Sequence, residues 1–304
     1  MGVEEKRYSI AKKVAASISR YAMSNGGKSM LEGFEDLLKF GVYAWLTEKK
    51  SWKEVKFERT AKEFAELEQI FIEYSNGMKE LLENNGWSDL IGCIYEDFAA
   101  GGQQKAFNQF FTPEHVCTLM AEATYGKFDL DTCNKLLRGT YTALDPTAGS
   151  GRLLLAYHAH IIKTYSCIGV PYMIAEDLSR TATFMTTLNF LMHGCVGEVI
   201  NHDTLTEPDT MRFGFFVNRH MYEKEHKLFG LPHVEIITDC TDTKFYKVGK
   251  AQHEQRQASE EEHAEAIPTD RTQNKEDNTV AAETTETEPL PKPAKAERVQ
   301  LELF

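Results

Sequence analysis

Residues 142–160 read TALDPTAGSGRLLLAYHAH. A short β-prone run ends in Asp145, a glycine-rich turn follows, and a helix opens after Gly151. That order sets a bound cofactor against a helix N-terminus. Gly149 and Gly151 let the backbone turn tightly and come close to a ligand. The turn contains neither GxxxxGK[ST] nor GxGxxG, so nucleotide phosphate is not the favoured ligand. Taken alone, the stretch reads equally well as a plain strand-to-helix connection.

Around it the chain alternates. YTALD, YMIAED, EVIN, GFFVN and HVEIIT have strand character, with helices over Gly151–Tyr165 and Ser179–His193. The alternation predicts an α/β, Rossmann-like, parallel doubly wound sheet. Residues 4–100 read as helices: Ile10, Val14, Ala15, Ile18 and Tyr21 share one face, as do Phe64, Leu67, Ile70, Phe71 and Tyr74. SNGGKS at 24–29 breaks the first helix from the second. Thr112 and Pro113 have the order of a helix cap and first helical residue. The division expected is a helical region over 1–108, a cofactor-binding domain over 109–250 and a tail over 251–304.

Net charge is −12, but from Ala251 onward 13 acidic and 6 basic residues already supply −7. The remainder is ordinary for a globular chain, and a nucleic-acid substrate is not excluded, because binding needs only a local basic face. KRYSIAKKVAASISR (6–20) is such a basic helix, read equally as a solvated face. The six cysteines, Cys93, Cys117, Cys133, Cys167, Cys195 and Cys240, show no metal-ligand clustering, so no metal is expected and reduced thiols fit. No apolar run reaches membrane-spanning length and no cleavable leader is visible, so a soluble, cytoplasmic protein is expected.

The motifs taken together resemble one family. LDPTAGSGR is similar to the S-adenosylmethionine motif of N6-adenine DNA methyltransferases, above all the modification subunits of type I restriction systems. QFFTPEHV (109–116) resembles the segment just upstream in that family, and DLIGCIYEDFA (89–99) the helix before it. AEDLS (175–179) resembles the acidic end of the family's second strand, RTATFMTTLNFLMHG (180–194) the helix after it, and NHDTL (201–205) its GDTL segment. The resemblance implies a Rossmann-like methyltransferase fold that holds S-adenosylmethionine. Its contacts would come from Phe111, Thr112 and Pro113, from Asp145, Pro146, Thr147, Gly149, Ser150 and Gly151, and from Asp203 toward the adenine amino group. A carboxylate that accepts both ribose hydroxyls falls on Asp177, with Glu176 as the alternative. A bacterial, phage or mobile-element setting and DNA as partner follow from the same resemblance.

The family's catalytic Asn/Asp-Pro-Pro-Tyr/Phe motif is absent. That motif's Asn oxygen and first Pro carbonyl hold the target amine, and its aromatic ring stacks on the flipped base. Here MRFGFFVNRHMYE (211–223) puts Asn218 at the matching distance, with Arg219 and His220 in place of the prolines and Tyr222 one position late. Two readings stay open: Asn218 and Tyr222 act as the catalytic pair, or the site has decayed and the chain is a cofactor- and DNA-binding adaptor. A methyltransferase for RNA or protein is a third. No target-recognition region is visible, so sequence readout would either come from elsewhere, as from a separate specificity subunit, or be lost.

After residue 250 aromatics vanish until Phe304, a composition that predicts a disordered tail. Gln300, Leu301, Leu303 and Phe304 then resemble the Gln-Leu-x-Leu-Phe peptide by which bacterial proteins bind the DNA sliding clamp. The resemblance implies a tethered clamp contact.

Overall fold

The structure, a computed structural model, describes residues 2–98, 111–125, 127–165, 169–223 and 231–251. Gln109, Cys167, the Tyr222 side chain and the peptide Gln300, Leu301, Leu303 and Phe304 lie outside the described residues.

Four helices come first: α1 (Val3–Ser24), α2 (Met30–Tyr43), α3 (Ala61–Asn85) and α4 (Leu90–Phe98). Their ends follow the local chemistry. Ser29 and Thr60 each accept a backbone N–H three residues on, while Glu32 and Glu63 reach back, closing two capping boxes. Gly86, at φ +77, ends α3. The apolar faces read from sequence are the buried ones: Val14, Ile18, Leu67 and Tyr74 are fully covered. The cations at the start of α1 are already engaged, Lys6 with Glu80 and Arg7 with the buried Glu114.

After α5 (Glu114–Tyr125) and α6 (Leu130–Leu137) come β1 (Thr142–Asp145), α7 (Arg152–Tyr165), β2 (Tyr172–Asp177), α8 (Arg180–His193), β3 (Val196–Asn201), β4 (Phe213–Val217), α9 (Arg219–Glu223) and β5 (Val234–Ile236). All five expected strands are present, in the spatial order β1-β2-β3-β4-β5. Pro113 stands just outside α5, its carbonyl accepting from Cys117 N–H.

One expectation is corrected: the sheet is mixed, not parallel. β1, β2 and β3 run parallel through the crossover helices α7 and α8, but β4 pairs antiparallel with β3, and β5 antiparallel with β4. The cause lies in residues 202–212, which hold only the short 3₁₀ turn Pro208–Thr210. A strand that follows its neighbour without a crossover helix can only come back the other way.

The two sheet faces are covered differently. Met173, Ala175, Val199 and Phe215 face a single continuous core shared with α1–α4, α7 and α8. Tyr172, Ile174, Val196, Ile200 and Phe216 face a smaller one closed by Ile237 and Phe245. Glu198 fixes that cover: its buried carboxylate accepts from Tyr172 Oη (2.6 Å) and from the amides of Lys244 (2.7 Å) and Phe245 (2.8 Å), capping the helical turns over 244–251. At the β5 edge the segment after α2 adds a bridge, Val234 N–H donating to Trp45 O and Thr47 N–H to Val234 O. Among the described residues no helix is long and apolar enough to cross a membrane.

Candidate functional site

The carboxyl ends of β1, β2 and β3 carry most of the residues singled out in the sequence. Asp145 closes β1, and its carboxylate accepts from Thr147 N–H (3.1 Å). The turn then rises through Gly149 (φ +59) and Gly151 (φ +81) into α7. A side chain at Gly149 would meet the Phe111 ring at 2.9 Å, so the upstream strip lies directly on the turn. Phe111 is in turn held by Tyr95 (ring centroids 5.7 Å apart) and by the Arg152 guanidinium, 5.3 Å from its ring. Thr112 contributes its carbonyl to Arg152 (3.1 Å).

Asp177 at the end of β2 reaches the same turn, accepting from Gly149 N–H (2.8 Å) and from Ser179 N–H (2.7 Å). Glu176 points elsewhere: it pairs with the buried His202 imidazole at 3.1 Å, and its backbone carbonyl accepts from Ala148 N–H. Asn201, ending β3, donates to the carbonyls of Asp177 and Leu178, while His202 N–H also donates to Asp177 O. Asp203, next in the chain, accepts from Leu205 N–H in its own turn.

The electrostatics follow from the acids that end β1 and β2, Asp145 and Asp177 on the turn and Glu176 turned toward His202. Burial raises the Asp145 carboxyl, opposed by the Thr147 amide and reinforced by Asp177. Burial likewise raises Asp177 against its two amide donors, and Glu176 against His202. The turn's amides are mostly taken: Thr147, Ala148, Gly149 and Gly151 all donate within the chain. A phosphate cradle needs free N–H groups and no nearby anions. This turn has the opposite character, suited to a ligand with positive charge and hydroxyl donors. S-adenosylmethionine, with its sulfonium, ammonium and ribose hydroxyls, fits that donor set.

Beneath the turn lies a hub that sequence reasoning missed. Asp89, wholly buried at the start of α4, accepts from Ser150 Oγ (2.5 Å), Arg152 Nε (2.7 Å), Asn189 Nδ2 (2.8 Å) and Gly92 N–H (2.8 Å). Burial alone would raise this carboxyl, but Arg152 beside it, with Ser150 and Asn189, holds it below the usual range. Arg152 extends the hub to Glu96. Ser150 therefore faces the hub, and Asn189 clasps its carbonyl as well (2.8 Å). The one available signal was an acid opening the helix just upstream of the strip.

Asn218 is not brought to this end. Because β4 runs antiparallel, with Gly197 opposite Val217, Asn218 stands at the amino end of β3. Both heavy atoms of its amide are engaged: Nδ2 donates to Cys195 O (2.8 Å) and Oδ1 accepts from His233 N–H (3.0 Å). It is completely buried at φ +54, a left-handed conformation that Asn tolerates better than most residues. Arg219 lies over the Phe216 ring at 4.3 Å. Among the described residues no cluster could hold a metal ion.

A model of the N-6 DNA Methylase family matches residues 87–263, more than half of the chain, from just before the Asp89 hub onward. No curated relative matches the chain, and no solved structure does.

Proposed function

The chain belongs to the N-6 DNA methylase family, and from that premise we propose that it binds S-adenosylmethionine where Phe111, the 145–151 turn and Asp177 meet, for work on adenine in DNA. The observation that carries this reading is the convergence of two hard-to-ionise carboxylates, the buried Asp145 and the half-buried Asp177, on a glycine turn whose amides are mostly satisfied. Asp177 takes the ribose, since Glu176 is engaged with His202. Asp203 and Leu178 flank the adenine.

On the acceptor side, we favour the adaptor reading: a cofactor- and DNA-binding protein with weak or no methyl transfer by itself. Asn218, the residue that would hold the amine, is buried at the far end of the sheet with both amide atoms engaged. Losing the fixed acceptor for the amine removes positioning that contributes much of such a rate enhancement. The tail peptide Gln300-Leu301-Glu302-Leu303-Phe304 would tether the protein to the sliding clamp, and a specificity subunit would direct it. Deleting 300–304 should abolish binding to purified clamp.

The deciding experiment pairs calorimetry with transfer. S-adenosylmethionine should give a binding isotherm and ATP none. Tritiated cofactor with mixed DNA should leave little label in DNA. Absence of a cofactor isotherm would overturn the site. Robust labelling that is lost in Asn218→Ala, in protein that remains folded, would restore the catalytic reading of Asn218.

A further inference from the structure

We propose that Lys39, Arg180 and Arg212 form a contact surface for the phosphate backbone of duplex DNA, immediately beside the cofactor site. The inference deepens the proposed function and rests on it only for the choice of nucleic acid.

Arg180 is the first residue of α8, three positions after Asp177. It is exposed, yet it does not hang free. Its guanidinium lies 5.8 Å from the ring centroids of both Phe184 and Phe213, and it is close enough to Tyr43 to favour the ionised form of that phenol. Among the described residues no carboxylate pairs with it. Two aromatic faces beside a phenol thus hold an arginine pointed at solvent, an arrangement that lowers the entropy lost on gripping an anion.

Lys39 belongs to α2, which packs against α8. Its nearest acid, Glu35, is 3.9 Å away and is also taken by Thr181 Oγ1 at 3.0 Å. Burial lowers the Lys39 ammonium from its ordinary range, Glu35 opposes that, and Arg180 adds to it. The charge is thus poorly compensated, and a nearby anion would relieve it. Arg212, exposed beside Phe213 and without an ion-pair partner among the described residues, lies at the same end of the sheet, next to Asn201 through its backbone N–H. The N-terminus of α8 adds the positive end of its dipole.

These cations come from three elements, and Arg180 and Arg212 lie on the surface. Spaced single contacts of this kind suit a polyanion, whose phosphates are met one at a time. The rest of the chain is acidic, so the patch also orients an incoming duplex with the cofactor site next to it.

The test is fluorescence anisotropy of a labelled ~30-bp duplex with the full chain across a potassium chloride series. The slope of log K against log salt measures the phosphates neutralised, about −0.9 for each. Arg180→Gln, Lys39→Gln and Arg212→Gln should each shrink the slope by about 0.9 and weaken binding on the order of tenfold at low salt. Lys163→Gln, on α7, should leave the slope unchanged. Cofactor calorimetry run alongside separates the two ideas, since loss of the isotherm in the parent protein sinks the site but not the patch. An unchanged slope in the Lys39→Gln/Arg180→Gln double variant, with the cofactor isotherm intact, overturns the patch. Tighter binding of duplex RNA with the same slope overturns the choice of DNA.

Discussion

The two ends of the sheet use polar groups in opposite ways. At the carboxyl ends of β1 and β2, the buried Asp145 and the half-buried Asp177 are covered against their preference for ionisation, and burial outweighs the backbone amides that each accepts. At the amino end of β3, Asn218 is completely buried, but both of its amide heavy atoms have a backbone partner, Nδ2 donating and Oδ1 accepting. Buried polar groups that are fully paired stabilise a fold, whereas groups held in an unfavourable charge state mark places where a ligand changes the balance. Architecture thus accounts for the Asn218 end, and the binding proposed above falls to the other, although sequence spacing pairs Asn218 with the glycine turn.

The sharpest way to break that contrast is Asp89, which supports the cofactor end from below. Asp89→Ala would leave Arg152 buried beside a lost partner and Ser150 and Asn189 without an acceptor. Removing one member of a buried pair costs about 3–5 kcal/mol, to be read from urea unfolding. Asp89→Asn keeps an acceptor oxygen but not the charge. It should lose less stability and still weaken cofactor binding, because Arg152 also anchors the Thr112 carbonyl and the Phe111 ring. If Asp89→Asn leaves affinity unchanged, the hub is structural only.

Acid should pull the two regions in opposite directions. Down α7, His158 is buried next to His193, and burial first, then the His193 charge, lowers it from 6.5 to about 4. A histidine with a depressed folded pKa is protonated more readily in the unfolded chain. Its contribution is complete above pH 6.5 and fades as pH falls toward 4, by about 3 kcal/mol in all. Asp145 and Asp177, being raised, work in reverse: their cost is relieved as they take up protons. Unfolding free energies measured from pH 7 to pH 4 should fall in the parent and fall less in His158→Leu, whatever that variant's stability at pH 7. Parallel curves would contradict this account of His158.

Asn218→Ala tests the architectural end. It strands His233 N–H and Cys195 O and places a Cβ residue with no local hydrogen bond at φ +54, so about 2 kcal/mol of stability should go. Calorimetry with S-adenosylmethionine should be unchanged. Weakened cofactor binding in folded Asn218→Ala would mean that the two ends are coupled.

What was legible in the sequence, and what was not, follows the range of the interactions. The glycine turn, the Phe111 strip and the AEDLS strand end are local patterns, and each falls beside the others as expected. The five strands were readable for the same reason. The direction of β4 was not, because a run such as FGFFV carries no sign of polarity. The only clue was negative, the lack of a helix in 202–212. The Asp89 hub joins α4 to the turn and to α8 over more than 60 residues of chain, a pairing to which residue types give no pointer. The ion pair of Arg7 on α1 with the buried Glu114 was out of reach for a related reason, since its partner lies more than a hundred residues away, while Lys12, Lys13 and Arg20 of the same helix are exposed.

The smallest expected effect is the most informative about the ligand. Asp177 accepts from Gly149 and Ser179 amides, so Asp177→Asn keeps the shape of the site but removes one negative charge and one acceptor. If Asp177 binds ribose hydroxyls near a cationic sulfonium, affinity for S-adenosylmethionine should drop on the order of tenfold, about 1.4 kcal/mol. The sign of the pH dependence gives a second handle. A carboxyl raised by burial keeps its proton to higher pH than an exposed one, and a cationic ligand favours its ionised form. Parent affinity should therefore rise with pH through that raised range and level off above it, and Asp177→Asn should flatten the rise. The demethylated cofactor, which lacks the sulfonium charge, should show a shallower rise in the parent as well. Equal pH profiles for the two ligands would mean that the carboxylates respond to something other than charge. The cofactor end of the sheet would then be no more specialised than the end that holds Asn218.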